Sequence, residues 1–269
     1  MKRRAIAKVA EREFVDLVEW VQSQLRGNKM QKTKIEWVRN PDGTQGYTDN
    51  PVKGKCPMAC SYCYARKMYV RFHWNPEIRY EPKGLVKIEN TVKPCGIFLG
   101  STFELFWDYL ERFWQDGIFK TIRACPQHRF YLLTKQPQNL IKWSPFPENC
   151  WVGVTATDGK MFERATYYLR SIEAKIKYIS FEPLLDPIGN MLVWLGQTVD
   201  WVIIGQQTPV KKATMPQIEW VREIMEACDK ASVPVFIKNN LAPYARNIAL
   251  YPNMRVGDKG WDEIRQEMP

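Results

Sequence analysis

Six short apolar runs recur along the chain: CGIFLGS (95–101), RFYLLTK (129–135), CWVGVTA (150–156), IKYISFEP (176–183), DWVIIGQ (200–206) and VPVFIKN (233–239). Their β-branched and aromatic residues run on without the alternation of a half-solvated strand. Each therefore predicts a strand buried on both faces of a parallel sheet. Between several of them apolar residues repeat at helical spacing, over 104–117, 159–173 and 215–231. Strand and helix alternating in this way predict an α/β fold, a (β/α) barrel or partial TIM-like barrel. An open doubly wound sheet is the alternative, but its Gly-rich dinucleotide fingerprint is not found. Upstream, Ile6, Val9, Phe14, Leu17, Val18, Val21 and Leu25 predict an amphipathic helix over 4–25. The expected division is an N-terminal helical appendage, 1–30, and a barrel domain, 31–269.

Polar residues collect where these strands end. Ser101 and Thr102, Thr134 and Lys135, Thr155 and Thr157, Glu182, Gln206 and Gln207, and Lys238 with Asn239 all follow an apolar run. In a barrel the C-terminal rim of the strands is where active sites are built. Any one of these residues reads equally well as a helix cap or a loop residue. A polar group after every strand is harder to dismiss.

Composition adds a partner question. The formal charge is +10 over 269 residues, with 11 Trp, 12 Tyr and 12 Phe. That balance fits a solvated basic surface or a polyanionic partner such as nucleic acid. No run approaches the roughly 20 apolar residues of a membrane span, and Glu11, Glu13 and Asp16 interrupt any signal-like stretch. The expectation is a soluble cytoplasmic protein without a membrane partner, in which seven cysteines point to metal or catalysis rather than disulfides.

Three of those cysteines lie within KGKCPMACSYCYARK (53–67), as Cys56, Cys60 and Cys63. A structural zinc site needs a fourth ligand, for which Cys95 or His73 is available, but no second knuckle follows. A redox pair would use Cys60 and Cys63 and leave Cys56 unexplained. A [4Fe–4S] cluster held by three thiolates, with its fourth iron open to a substrate or cofactor, uses all three.

C-x3-C-x2-C is also the spacing of the radical S-adenosylmethionine superfamily, and Tyr62 matches the aromatic usual before its last cysteine. TKIEWV, NPVKGKCPMACSYCYARKM, IFLGSTFELF, FYLLTKQPQNL, WVGVTATD, YISFEPLLDPI, WVIIGQQ and VPVFIKN follow in order over about residues 33–240. Together they resemble a phage-associated family of that superfamily, distantly similar to spore photoproduct lyase. The chain departs at GQQTPVKKATMP, where that family usually carries Gly-Gly-Glu-Ser-Gly, so Gln206 and Gln207 inherit no role.

The resemblance implies a [4Fe–4S] cluster on Cys56, Cys60 and Cys63, S-adenosylmethionine at the open iron, and an electron donor that reduces the cluster. Cleavage of the cofactor would give a 5′-deoxyadenosyl radical that abstracts hydrogen from a substrate. Tyr62 would pack beside adenine and Lys135 would pair with the methionine carboxylate. Ser101 and Thr155 would bond the amino group and ribose, and Glu182 ribose or substrate. The lyase's hydrogen-donating cysteine on its second strand has no counterpart in IFLGSTFELF, which disfavours photoproduct repair.

Charge, aromatics and phage association favour a nucleic-acid substrate: a nucleobase, or a substituent on one, in phage DNA inside a host cell. The enzyme would then be an isomerase, lyase or transferase. ARKMYVRFHWNPEIRYEPK (65–83) alternates bases with aromatics after the cysteines, through Arg66, Lys67 and Arg71, and Lys211 and Lys212 add charge at the rim. The alternatives are a radical enzyme acting on a small molecule or peptide, and a zinc-stabilised nucleic-acid-binding module without catalysis.

Overall fold

The computed structural model describes residues 30–242 and 265–269, so the helix expected over 4–25 lies outside the described residues. The chain enters through β1 (Gln31–Lys32) and β2 (Tyr47–Asp49), followed by a small ribbon, β3 (Val52–Lys53) and β4 (Arg79–Tyr80), with α1 (Tyr64–Arg71) between its strands. Next come α2 (Lys83–Glu89), β5 (Gly96–Leu99), α3 (Arg112–Ala124), β6 (Arg129–Thr134) and β7 (Cys150–Thr155). The chain continues through α4 (Gly159–Leu169), β8 (Ile176–Phe181), β9 (Trp201–Ile204), α5 (Ile218–Ala231) and β10 (Val235–Ile237). Two crossovers, Pro137–Trp143 and Gly189–Gln197, are 3-10 turns instead of α-helices. Among the described residues no helix is long and apolar enough to cross a membrane.

The main sheet runs β1-β2-β5-β6-β7-β8-β9-β10, parallel throughout except for β1 against β2. All six expected strands form. The first parallel strand, β2, was not expected: its three residues, Tyr-Thr-Asp, carry no apolar run. The helix expected over 104–117 is displaced. Residues 104–111 form turns, because the Glu104 carboxylate accepts from Phe106 N (3.1 Å), Thr134 Oγ1 (2.7 Å) and Lys135 N (2.8 Å). The helix starts at Arg112 and runs on to Ala124, burying Ile118, Phe119 and Ile122.

The sheet is strongly curved, into an α/β partial barrel. In a flat sheet β5 and β9 would stand four strand spacings, about 19 Å, apart. Yet the ring of Trp37 lies 5.0 Å from Phe98 on β5 and 6.2 Å from Trp201 on β9, with Tyr131 (β6) and Tyr178 (β8) at 5.7 and 6.0 Å. Inward positions Phe98, Tyr131, Tyr178 and Trp201 thus close around one indole, with Trp151 and Phe236 packed behind them. Outward positions such as Leu99, Leu132, Val152, Ile179 and Val202 join the core under the helices. Trp37 comes from the TKIEWV segment, which plugs the N-terminal end of the strands. Asn40 Oδ1 accepts from Gly96 N (2.8 Å), and Tyr131 Oη donates to Arg39 O (2.9 Å). The free edge of β10 is bridged antiparallel by Gln266 to Phe236.

Gly153, inward on β7, lets the Tyr178 ring pass over it to donate to Leu132 O on β6 (3.0 Å). A Cβ there would press into that ring far inside van der Waals contact. Gly153→Ala is expected to cost about 1–3 kcal/mol, read as a lower urea midpoint. An unchanged midpoint would show that the ring has another place to go.

Candidate functional site

The three cysteines sit on the loop between β3 and α1. Cys56, Cys60 and Cys63 are partly exposed, whereas Cys95, Cys125, Cys150 and Cys228 are buried. Helix α1 begins directly after Cys63, and two of its side chains reach back to the loop. Arg66 Nη1 donates to Cys56 O (2.8 Å) and Tyr69 Oη accepts from Gly54 N (2.8 Å). Three positions apart, they share one face of the helix. Within the loop Cys63 N donates to Cys60 O (3.1 Å), and Ala59 takes a left-handed φ of 51°.

This loop arches over the C-terminal mouth of the barrel. The Cys56 thiol accepts from the backbone N–H groups of Met58 and Glu104, the latter beyond β5. Gln136, beyond β6, donates from Nε2 to Met58 Sδ (2.9 Å). The Tyr62 hydroxyl lies beside Cys60 and near Cys63 and Asp158, the N-cap of α4 beyond β7. Tyr64 donates to Ser101 O (3.2 Å) and feels Glu182 beyond β8. The ends of β5 and β6 therefore bond the loop directly, and acids beyond β7 and β8 lie close enough to act on the tyrosines at its end. Burial is the first cause that pushes the Cys56 thiol and the Tyr62 and Tyr64 hydroxyls above their ordinary values. At Cys56 the two N–H donors oppose that rise, while Glu104 and Cys63 add to it.

Beneath the loop the inward positions turn polar. Thr155 on β7 and Ser180 on β8 are neighbours in register, both buried, and among the described residues neither hydroxyl has a partner. An unpaired buried hydroxyl costs about 1–3 kcal/mol, so two side by side are a feature a bound ligand would relieve. Lys135, half-buried beyond β6, is held by its N–H on Glu104, and among the described residues its ammonium makes no ion pair. Glu182 and Lys238, from β8 and β10, form an ion pair across Gly205. A Cβ on Gly205 would stand 2.9 Å from Lys238 Cδ and 3.3 Å from Glu182 Cγ, so the glycine makes room for the pair.

Other expected site residues are spoken for. The Ser101 hydroxyl is engaged by Thr48 Oγ1 (3.0 Å) and Asn50 Nδ2 (3.1 Å), which join the ends of β2 and β5. Gln206 is fully buried and ties β9 to Asn240, donating to Asn240 O and accepting from Asn240 Nδ2 at its own carbonyl (2.9 Å). Arg66, expected to face a polyanion, turns to the cysteine loop instead, while Lys67, Arg71, Lys211 and Lys212 are exposed. Asp49, half-buried and with one buried oxygen that has no partner among the described residues, packs against Gly84 of α2 on the outer side of the sheet. Sequence reasoning missed Glu104, hidden in a helical pattern, and Ser180, which period-two counting from Tyr178 would have placed inward.

Three partly exposed thiols on one loop match the number that a four-iron cluster with one open iron takes. Among the described residues no three His, Cys, Asp or Glu side chains converge as one ion requires. Cys95, a candidate fourth zinc ligand, is buried at the opposite end of the barrel, where its backbone N–H donates to His128 Nδ1 (3.2 Å). A four-iron cube takes its thiolates on separate corners, wider apart than a tetrahedral ion does.

Comparison with known proteins gives short and loose likenesses and one long one. Stretches of 33 residues are 52% identical to actin-related protein 3 of Saccharomyces cerevisiae (12% of this chain, 7% of that one) and 48% identical to that of Schizosaccharomyces pombe (12% and 8%). The match thus spans under a tenth of those relatives' length. A crystal structure of a radical SAM methyltransferase from Sphaerobacter thermophilus aligns with a TM-score of 0.48 at 12% identity, covering 74% of this chain and 71% of that one. From residue 32 to residue 259 the chain matches, and so belongs to, the family described as "Protein of unknown function (DUF5131)".

Proposed function

We propose that this chain is a radical S-adenosylmethionine enzyme. The observation that carries this reading is the C-x3-C-x2-C loop at the C-terminal mouth of the barrel, toward which the inward-facing Thr155 and Ser180 present hydroxyls that have no partner among the described residues. Cys56, Cys60 and Cys63 would hold a [4Fe–4S] cluster with one iron free of protein ligands. When bound, that cluster supplies the electron for homolytic cleavage of S-adenosylmethionine and so for hydrogen abstraction from a substrate.

The chain's own residues then bind and orient. Thr155 and Ser180 offer hydroxyls to the cofactor's polar groups. Lys135, fixed through its N–H by Glu104, offers to a carboxylate an ammonium that makes no ion pair among the described residues. Tyr62 and Tyr64 stand beside the cysteines at the mouth, where their rings can pack against a bound cofactor. Glu104 joins the two halves, holding β6 through its carboxylate and the Cys56 sulfur through its N–H.

The test is anaerobic reconstitution with ferrous iron and sulfide, reduction, addition of S-adenosylmethionine, and chromatography for 5′-deoxyadenosine. Its formation is expected. Tightly bound zinc with no cofactor cleavage would sink the reading. Thr155→Val removes one hydroxyl with little change of shape. It should raise the S-adenosylmethionine concentration for half-maximal cleavage roughly tenfold, the worth of one buried hydrogen bond. An unchanged requirement would place the cofactor away from β7.

A further inference from the structure

The helix that follows the cysteines carries a surface that the barrel does not use. Of the aromatics between Tyr64 and Tyr80, Tyr69 is buried and its hydroxyl holds Gly54, whereas Phe72 and Trp74 are 49% and 43% exposed. Their rings stack, 5.6 Å apart at 26°, and the Arg71 guanidinium lies 5.3 Å over Phe72. Between them His73 adopts a left-handed φ of 50°, a conformation uncommon for a residue with a side chain. The pair is fixed to the body of the protein: Phe72 N donates to Met68 O (2.9 Å), Trp74 N to Tyr69 O (3.2 Å), and Tyr69 packs edge-on against Trp74.

The charge around this pair has one sign. From Asn50 to Pro76 there is no Asp or Glu, while Lys53, Lys55, Arg66, Lys67 and Arg71 all fall in that span. Lys55, Lys67 and Arg71 are exposed, and Lys55 N donates to Pro76 O (2.9 Å), which sets the aromatic pair beside the start of the cysteine loop. The first acid beyond it, Glu77, accepts from Asn75 Nδ2 (3.4 Å), and Glu81 is paired with Arg79.

We propose that this surface binds a single-stranded nucleic acid, Phe72 and Trp74 stacking on successive bases while Lys67 and Arg71 hold the backbone. Open aromatic faces beside a stretch of cations that no acid interrupts from Asn50 to Pro76 are what a single strand needs. Unpaired bases present π-faces, and the phosphates require positive charge without regard to sequence. A protein partner would want a drier patch with both signs of charge, and a duplex hides the base faces. Binding stands on this surface alone. That the bound strand supplies the substrate for the barrel mouth rests on the radical-enzyme reading above.

The experiment is fluorescence anisotropy with labelled dT20, rU20 and a 20-base-pair duplex, titrated with the reconstituted full chain at several salt concentrations. Both single strands should bind more tightly than the duplex, and the dT20 and rU20 arms separate DNA from RNA. Phe72→Ala with Trp74→Ala should weaken single-strand binding about ten- to a hundredfold. Lys67→Glu with Arg71→Glu should also weaken it and reduce the slope of log affinity against log salt by about 1.4, two contacts at roughly 0.7 each. All four side chains are exposed, so circular dichroism melts of the variants should match the parent. Equal or tighter duplex binding, no binding at low salt, or full affinity in the aromatic variant would overturn the proposal. So would a dimer that the aromatic variant dissolves, seen by light scattering, since the patch would then join two copies. Cofactor cleavage assayed on the same samples reports separately on the mouth: strands bound without 5′-deoxyadenosine would sink the enzyme reading and leave this one standing.

Discussion

Cys60→Ala is expected to leave the fold intact and remove the iron. Cys60 lies in a turn of the mouth loop, partly exposed, and its thiol fills no part of the core. Substitutions at such positions usually change stability by within about 0.5 kcal/mol. In the proposed role of cluster ligand, however, it has no substitute nearby: the four other cysteines are buried, and Cys95 sits at the far end of the barrel. Iron after anaerobic reconstitution should fall from about four per chain to below one, and 5′-deoxyadenosine should become undetectable. Cys228→Ala supplies the converse. Cys228 is fully buried in the core under α5, where burial raises its thiol to about 12. Its loss should lower the melting temperature yet leave iron and cofactor cleavage in place. If Cys60→Ala keeps its iron, or Cys228→Ala loses it while folded, the metal lies elsewhere and the mouth loop is not its seat.

The grouping of three thiols on one loop was legible in the sequence, because their spacing is local and survives any error about the fold. The six long strands were, because a strand buried on both faces writes itself as an unbroken apolar run, as in CWVGVTA and DWVIIGQ. The first barrel strand was not: at Tyr47–Asp49, pairing with β5 and not hydrophobicity makes it a strand.

The rim of polar residues was legible as a ring but not in its division of labour. Ser101 and Thr155 look alike in sequence, each a small hydroxyl at a strand end. Ser101 spends its hydroxyl on Thr48 and Asn50, 53 and 51 residues away, and Thr155 finds no partner among the described residues. Only long-range packing separates them. Glu104 shows a non-local effect overriding a local one. Its neighbours repeat with helical period, but three hydrogen bonds, two of them to the end of β6, hold the segment in turns until Arg112. The basic aromatic stretch after the cysteines divides likewise, Tyr69 going to the interior and Phe72 and Trp74 to the surface.

The largest loss of stability is expected from Trp37→Ala. The indole is 1% exposed and is enclosed by rings from β5, β6, β8 and β9. Removing a buried Trp costs about 3–5 kcal/mol, since the lost transfer energy is joined by a cavity that the neighbours cannot fill. Here collapse is hindered further: each lining ring belongs to a different strand, and closing the void means tightening the sheet's curvature. Against a domain stability of about 5–15 kcal/mol, the variant should unfold at a far lower urea concentration. Trp37→Phe keeps a ring in place and should recover most of the loss. The plug carrying Trp37 is fixed by its own hydrogen bonds, from Gln45 Nε2 to Ile35 O (2.8 Å) and Val38 O (2.9 Å) and from Gly96 N to Asn40. It lies at the N-terminal end of the strands and the cysteine loop at the other, so at low temperature the folded fraction of Trp37→Ala should still take up iron. A loss below about 1 kcal/mol would mean that the strands hold their curvature without the indole. The TKIEWV segment would then be a cover on the barrel and not the residue set around which it closes.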